Sequence, residues 1–495
     1  MNYYCFYYTF ILQNYLNNFI NNFINFLVGN YSENEFKIFR LQYGLYRQKS
    51  SYMLRLSIPY GILNFDQFFL ISYISYIYDK KYFHFTTRTN IQFNWIKLFY
   101  IFEIFKKTFL FFINSIQSSG NCVRNITSNI NKFLNPTPWG EIIRQWFTFN
   151  SEFLFLPRKF KISILSCKKD YIIFKCHDLG IYIKKNFFNN LIINFLIGGG
   201  LGRTPVIGFY ILKNIHWNKI LNYFDKIVRI YNIYGFRNNI YKSRLKILIK
   251  SLPHFNYLSF IYKEFNYSNK HIYFFNEKNI NYFFCLKKNN LKNYFLKKKI
   301  IYNNFFLCWL KNNIFNNFLF IPIKNNNTPS GDVNYLQIKI IYYFLNKTFY
   351  IFIFNRQNLL LDCSYLNIYL IYLKLKKYFL NIYNSFLITD SICCPGQDYC
   401  VLANAKSIYL LNIIKYMFLD FNTIFKLGKI SLNISGCINS CGHHHVSNLG
   451  FLGVNKSGEN YYQIYLGGNY NNFCSLKFSK AFLPSVSNFK IFYFF

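Results

Sequence analysis

The chain has 495 residues, a formal net charge of +39, 23% aromatic residues and 13 cysteines. Its commonest residues (Phe, Tyr, Ile, Asn and Lys) have A/T-rich codons, so the dispersed lysines follow the composition of a small, AT-rich genome and do not by themselves indicate nucleic acid. The length allows several core-burying domains and excludes a small disulfide-framework protein.

From the N-terminus, residues 1–32 carry no charge. Asn14, Asn17, Asn18, Asn21, Asn22 and Asn25 recur at helical spacing, which predicts an amphipathic helix and not a membrane span. A basic n-region and a small-residue cleavage site are both lacking, so no secretory leader is expected and the compartment is read as cytoplasmic.

Against a background of Lys and Asn, clusters of Arg, Gly, Cys and Pro stand out as islands. "PYGILNFDQ" begins at Pro59 and "PSGDVNYLQ" at Pro329. Each precedes a helix-like apolar stretch and then a strand-like run, "YFHFTTRTNIQFNW" and "FYIFIFNRQNLLLDC". Arg88 and Asn90 thereby match Arg356 and Asn358, and "CVRN" at Cys122 resembles "CVLAN" at Cys400. Two such copies predict a pseudo-twofold duplicated body. In "PRKFK", Lys159 and Lys161 alternate around Phe160, so a strand there gives them a common face. "GGGLGRTP" offers the backbone donors of Gly198, Gly199, Gly200 and Gly202 beside Arg203. A dinucleotide fingerprint fails, because Arg203 stands where its third glycine is due. Residues 251–325 hold little but Asn, Lys, Phe, Tyr and Ile and read as a divergent connecting region.

The densest chemistry comes last. Cys394 and Cys400 form C-x5-C, and Cys437 and Cys441 form C-x3-C. Two such loops suit a cubane iron–sulfur cluster, which takes four thiolates. Structural zinc favours shorter spacings, which the x5 pair fits poorly. His443, His444 and His445 follow, readable as packing groups or as ligands of a further metal.

"CPGQDYC…SGCINSCG", taken with "TTRTNIQ", "SGNCVRN", "LPRKFK", "GGGLGRTP" and "CGHHHVSNLGFLG" in the same order, resembles the sirohaem-dependent nitrite and sulfite reductases, nearest the sulfite reductase haemoprotein subunit. The similarity runs from about Phe36 to Gly468 and is weak across 251–325. It implies an α+β fold with pseudo-twofold duplicated architecture: two ferredoxin-like half-domains plus two α/β sirohaem/[4Fe–4S] catalytic domains. The expected boundaries are an extension at 1–35, half-domains at 36–105 and 326–385, a first catalytic domain at 106–250, a linker at 251–325 and a cluster domain at 386–495.

The resemblance further implies that Cys394, Cys400, Cys437 and Cys441 ligate a [4Fe–4S] cluster, with Cys441 bridging to the sirohaem iron. Arg88, Arg124, Lys159 and Lys161 would hold the anion. The glycine loop and Arg203, with Arg158, Arg237, Lys242 and Arg244, would meet the sirohaem carboxylates. The copy carrying Arg356 would lack a functional anion site. The implied activity is six-electron reduction of sulfite to sulfide, with nitrite reduction to ammonia as the alternative and a non-catalytic iron–sulfur relic as the third reading. The chain has no flavin or NAD(P) motif, so a ferredoxin or flavoprotein reductase subunit is expected as donor, with neither nucleic acid nor membrane as partner. The end of the chain, "CSLKFSKAFLPSVSNFKIFYFF", matches the family poorly, which predicts a shortened cover over the haem edge.

Overall fold

The computed structural model describes residues 6–267, 314–468, 480–481 and 486–487, except 49, 117, 130–133, 149, 168–173, 253, 316–317, 346–349, 363–367, 379–384 and 419. Most of the expected linker and of the C-terminal segment lies outside the described residues. The chain forms two compact units that alternate along the sequence. One comprises Met1–Tyr46, Leu54–Tyr60 and Phe112–Lys288; the other comprises Arg47–Met53, Gly61–Phe111 and Asn289–Phe495. Among the described residues no helix is long and apolar enough to cross a membrane.

In the first unit, the asparagine-striped segment is a helix, Phe6–Leu27. It turns Phe19 and Phe23 onto Phe36 of the helix Glu33–Gln42, which starts with a Ser32/Glu35 capping box. Beyond it lies a five-stranded sheet of Thr127–Ser128, Ile162–Leu165, Leu179–Lys185, Leu191–Ile197 and Phe209–His216, hydrogen-bonded in chain order. Its first three strands run parallel and the rest antiparallel.

The second unit repeats this plan with Ile392–Cys393, Leu432–Ser435, Leu449–Lys456 and Glu459–Leu466. The registers correspond: Ile162 pairs with Leu179 as Leu432 pairs with Leu449. One residue before each second strand, a side-chain oxygen caps the same backbone position. Asp178 Oδ2 accepts from the Lys161 N–H and Asn448 Oδ1 from the Ser431 N–H, both at 2.9 Å.

The two ferredoxin-like copies also lie in the second unit. One runs through strand Ile62–Leu63, helix Phe65–Tyr78 and strands Tyr82–Phe85 and Ile91–Ile96. The other runs through Asp332–Asn334, Tyr335–Leu345, Ile351–Phe354 and Asn358–Asp362. The order strand, helix, strand in each follows the repeated motif. What the motif does not reveal is an exchange: each copy gives its first strand to the other's sheet. Ile62 and Leu63 pair with Phe352 and Ile351, while Asp332–Asn334 pair with His84–Tyr82.

Each exchanged strand ends in the same reciprocal cap. The Asn64 side chain accepts from the Gln67 N–H at 2.8 Å and Asn334 from the Gln337 N–H at 3.0 Å, with each glutamine reaching back to the asparagine N–H. Each begins at a left-handed glycine, Gly61 (φ +74°) or Gly331 (φ +97°). A Cβ there would lie 2.5 Å from the carbonyl oxygen of Ile353 or Phe85, on the strand of the other copy that receives it.

Candidate cluster and anion sites

Cys394 and Cys400 flank a short 3-10 turn, Gly396–Asp398, that follows strand Ile392–Cys393. Cys437 and Cys441 lie in the loop after Leu432–Ser435, the neighbouring parallel strand. Both loops therefore leave the sheet at the same end, where strand carboxyl ends in α/β folds gather ligands. The loops touch closely: a Cβ on Gly436 would lie 3.0 Å from the Gly396 Cα and 2.8 Å from the Ser407 hydroxyl. Glycine is thus required where the two cysteine loops cross.

The four thiols share one electrostatic neighbourhood. Burial, then the Cys441 thiol, pushes Cys394 up to about 11, although the Gly436 N–H donates to its sulfur at 3.0 Å. Burial likewise raises Cys437, with Cys441 and Cys400 adding to the effect. None of the four is in a disulfide. Among the described residues no three His, Cys, Asp or Glu side chains converge tightly enough for a single metal ion. Four cysteines spread over two facing loops, with a backbone N–H aimed at a sulfur, fit the larger body of a cubane cluster.

Arg88 lies beside this group. Its loop follows strand Tyr82–Phe85, and the Thr87 hydroxyl donates to the Cys441 carbonyl at 3.2 Å. The tight turn holds Thr89 in a left-handed conformation (φ +58°), which its duplicate Gln357 shares (φ +61°). The duplicate arginine has a different fate. Arg356 is completely buried, and its guanidinium faces Asp390, with 3.5 Å between Nε and Oδ2. The histidine run packs into the sheet: His444 lies 3.9 Å from His445 and 5.1 Å from Tyr465, ring centre to ring centre. Burial first, then its two histidine neighbours, pushes the His444 imidazole well below its usual value.

In the first unit, Arg124, Lys159 and Lys161 come together by register. Val123 bridges Phe160 in parallel, and the Arg124 N–H donates to the Phe160 carbonyl at 2.8 Å. Val123 and Phe160 point into the core, so alternation turns Arg124, Lys159 and Lys161 the other way. The regular strand begins only at Ile162; Phe160 sits in an isolated bridge, with the half-buried Lys159 and Lys161 on either side. The Arg124 guanidinium donates to the carbonyls of Ser118 (2.7 Å) and Gly120 (2.7 and 3.1 Å). Burial, then repulsion from Arg244 and Arg124, holds Arg158 below the usual guanidinium range, so these three arginines form one basic patch.

The other expected sirohaem contacts differ among themselves. Arg203 is exposed on the glycine loop. Arg244 makes a fork on Asp178, with Nη2 at 2.7 and 2.9 Å from the two carboxylate oxygens. Arg237 is exposed and holds the Phe155 carbonyl and the Asn232 side chain, which orders its own turn. Lys242 lies nearby in the same loop, its N–H donating to the Asn239 carbonyl.

Three residues escape sequence reasoning. Asp178, fully buried, fixes both Arg244 and the backbone of Lys161. Lys246 Nζ donates to the Leu201 and Thr204 carbonyls at 3.2 and 2.5 Å, anchoring the glycine loop; burial, then Arg244, lowers its ammonium to about 8. Asp390 neutralises the duplicate arginine. A lone carboxylate or one lysine among dozens has no spacing to mark it. The one usable sign belongs to Lys246, which stands two residues after Arg244.

Two family models match the chain. The nitrite and sulphite reductase 4Fe-4S domain covers residues 119–266, and the nitrite/sulfite reductase ferredoxin-like half domain covers residues 46–108. Both fall on first copies, and the four clustered cysteines lie beyond them. A sulfite reductase [ferredoxin] 1 from Mycolicibacterium paratuberculosis is 23% identical over 33% of this chain and 30% of its own length. A ferredoxin–nitrite reductase from Leptolyngbya laminosa is 28% identical over 41% of this chain and 42% of its own. The match thus spans less than half the length of either relative. The solved structure of the Mycobacterium tuberculosis NirA protein shares the fold, with a TM-score of 0.74 over 93% of this chain and 86% of that one, at 17% identity. Sirohaem and a [4Fe–4S] cluster are the cofactors these matches imply. Over residues 46–108 and 119–266 the chain thus matches the domains of nitrite and sulfite reductases, and it shares the duplicated α+β fold of the NirA protein.

Proposed function

We propose that this protein reduces sulfite to sulfide in a six-electron reaction, in a cytoplasmic setting that suits its free thiols. The observation that carries the reading is the convergence of four thiols on two crossing loops, with the turn bearing Arg88 bonded to one of them. In this reading Cys394, Cys400, Cys437 and Cys441 hold the [4Fe–4S] cluster and Cys441 is shared with the sirohaem. When bound, the coupled pair stores and passes the electrons that no side chain can supply.

The chain's own residues do the rest. Arg88, Arg124, Lys159 and Lys161 neutralise the anion and oppose the negative charge that develops as it is reduced. The two lysine ammonium groups are also proton donors, which a reduction that consumes protons requires. Arg158, Arg203 and Arg244, with the N–H groups of Gly199 and Gly202, pair with sirohaem carboxylates; the Gly198 and Gly200 N–H groups, expected to join them, donate instead to the Asp178 and Val206 carbonyls. Arg237, bound within its own turn, contributes at the periphery. Electrons come from a ferredoxin or a flavoprotein subunit; ferredoxin is favoured because the relatives from M. paratuberculosis and L. laminosa are named as ferredoxin enzymes.

Nitrite is the second reading, because relatives of both names match at similar identity. Anaerobic reconstitution with iron, sulfide and sirohaem, followed by turnover of each anion with reduced methyl viologen, separates the two. Faster turnover of sulfite is expected. Turnover of nitrite alone reassigns the substrate, and a loaded protein inert to both is the non-catalytic relic.

A further inference from the structure

Asp178 joins segments that lie far apart in the chain. It is fully buried, just before the strand Leu179–Lys185. Its Oδ2 accepts from the Lys161 N–H at 2.9 Å, and the Lys161 carbonyl accepts from the Leu179 N–H at 3.1 Å, so the backbone of Lys161 is held on both sides. The Asp178 carbonyl accepts from the N–H of Gly198, the left-handed residue (φ +81°) that opens the glycine loop, at 3.1 Å. The carboxylate also takes the guanidinium of Arg244, with Nε at 3.1 Å and Nη2 at 2.7 and 2.9 Å. Arg244 lies against the same loop: a Cβ on Gly200 would sit 3.1 Å from its Nη2.

The second unit shows which of these bonds need a charge. There Asn448 stands in the equivalent place, before the strand Leu449–Lys456. Its Oδ1 accepts from the Ser431 N–H at 2.9 Å, and the Leu449 N–H donates to the Ser431 carbonyl at 3.0 Å. The N–H of Gly467, also left-handed (φ +85°), donates to the Asn448 carbonyl at 3.1 Å. An uncharged amide thus builds the same frame. Where Asp178 reaches Arg244, the Asn448 Nδ2 donates to the Gly468 carbonyl at 3.0 Å. A buried carboxylate is far costlier to desolvate than an amide, and what it adds to the frame is the fork on Arg244.

Arg244 needs such an anchor. It shares a basic patch with Arg158 and Arg124, whose like charges repel one another. Unanchored, a long guanidinium side chain in that patch turns toward solvent, and the entropy of fixing it again falls on whatever it binds.

We propose that Asp178 is a positioning residue for the cofactor: its buried charge holds the Arg244 guanidinium ready for a sirohaem carboxylate, while the bonds it has in common with Asn448 hold Lys161 and the glycine loop. This rests on the proposed contact of Arg244 with sirohaem. The two copies keep one frame, and the charge in the first serves the cofactor.

The test is the rate at which sirohaem leaves the reconstituted holoprotein, followed as the haem absorbance retained by the protein through repeated gel filtration. A rate is read because Asp178→Asn also makes the site more positive, which speeds capture of an anionic cofactor and offsets a loss of affinity. Asp178→Asn is expected to speed dissociation about 10–100-fold, the usual effect of removing a group that orients a ligand-binding side chain. Asp178→Asn/Arg244→Gln is expected to match the single variant, because Arg244 has already been released. Loosened packing would instead make the second substitution add to the first. Arg244→Lys, which keeps the charge pair and loses the fork, replaces Asp178→Asn if that variant does not fold; the same rise is expected, and the parent rate overturns the inference. A double variant faster than the single one means that Arg244 holds sirohaem without Asp178, which overturns this inference alone. Parent rates in both variants overturn the Arg244 contact as well. A parent protein that takes up no sirohaem overturns the proposed function itself.

Discussion

Cys393 and Cys394 are neighbours with opposite surroundings. Cys393 packs among Leu410, Leu411 and Ile434 and donates its S–H to the Cys394 carbonyl at 3.2 Å. Cys394 faces the crossing loop and receives the Gly436 N–H. Cys394→Ala is therefore expected to abolish bound iron and sulfide, while Cys393→Ala retains them and costs about 1–2 kcal/mol of stability as a small core truncation. Iron analysis and thermal unfolding of the two variants check this. Lys159 and Lys161 flank the buried Phe160 just before the strand Ile162–Leu165, and in the proposed anion site replacing either with alanine should lower turnover about 10²–10³-fold with haem absorbance intact. Arg356 is no neutral control for that experiment, although as a duplicate it reads like one in the sequence. Removing it leaves Asp390 paired with Lys324 at 3.5 Å but empties a completely buried site, a large-to-small change that costs about 2–5 kcal/mol. Arg356→Ala should show a large fall in melting temperature, read by circular dichroism.

At the scale of elements, the helix Phe65–Tyr78 is tied to the strand Ile91–Ile96 by Asp79. Its carboxylate accepts from the Lys80 N–H at 2.7 Å and the Asn94 N–H at 2.9 Å. Burial dominates these bonds and raises the Asp79 carboxyl from 3.8 to about 6. Because the folded value lies above the unfolded one, this contribution is fully present below about pH 3.8 and is lost as pH rises through about 6. Asp79→Asn should remove that loss, about 2–3 kcal/mol, seen by comparing urea unfolding of variant and parent at pH 4 and pH 7. Capping and turn chemistry are local, which is why the repeated motif was legible: Gly61 and Gly331 mark left-handed turns, and Asn–Gln pairs mark helix starts. The destination of the short strands was not legible. Nothing in "GIL" or "GDVN" states which sheet will receive it, because that depends on partners hundreds of residues away.

For the whole molecule, duplication was readable because two copies fail to erode in the same places, so matched islands survive in a monotonous background. The two cysteine pairs were readable from their spacing, and their proposed ligation from the resemblance. The charge-balancing residues Asp178, Asp390 and Lys246 were not, since their role is defined only by what the fold puts opposite them. The exchange of strands has a consequence for dissection. A fragment of residues 1–267 carries both segments matched by the family models, yet it lacks the strand Asp332–Asn334 that pairs with Tyr82–His84, and it lacks the strand Ile351–Phe354 that receives Ile62 and Leu63. That fragment should show poorly dispersed amide signals in an NMR spectrum, and adding the complementary fragment should sharpen them.

The same exchange bears on the order of events as the chain is made. His84 Nδ1 bonds Asp332 Oδ1 at 2.6 Å across a separation of 248 residues. At about 5–20 residues per second of synthesis, the first ferredoxin-like copy waits roughly ten to fifty seconds for the strand that finishes its sheet. Through that interval the unpaired edge of Tyr82–Phe85 is a template for any passing strand. A nascent chain so rich in aromatic residues therefore depends on whatever shields that edge until its distant partner arrives.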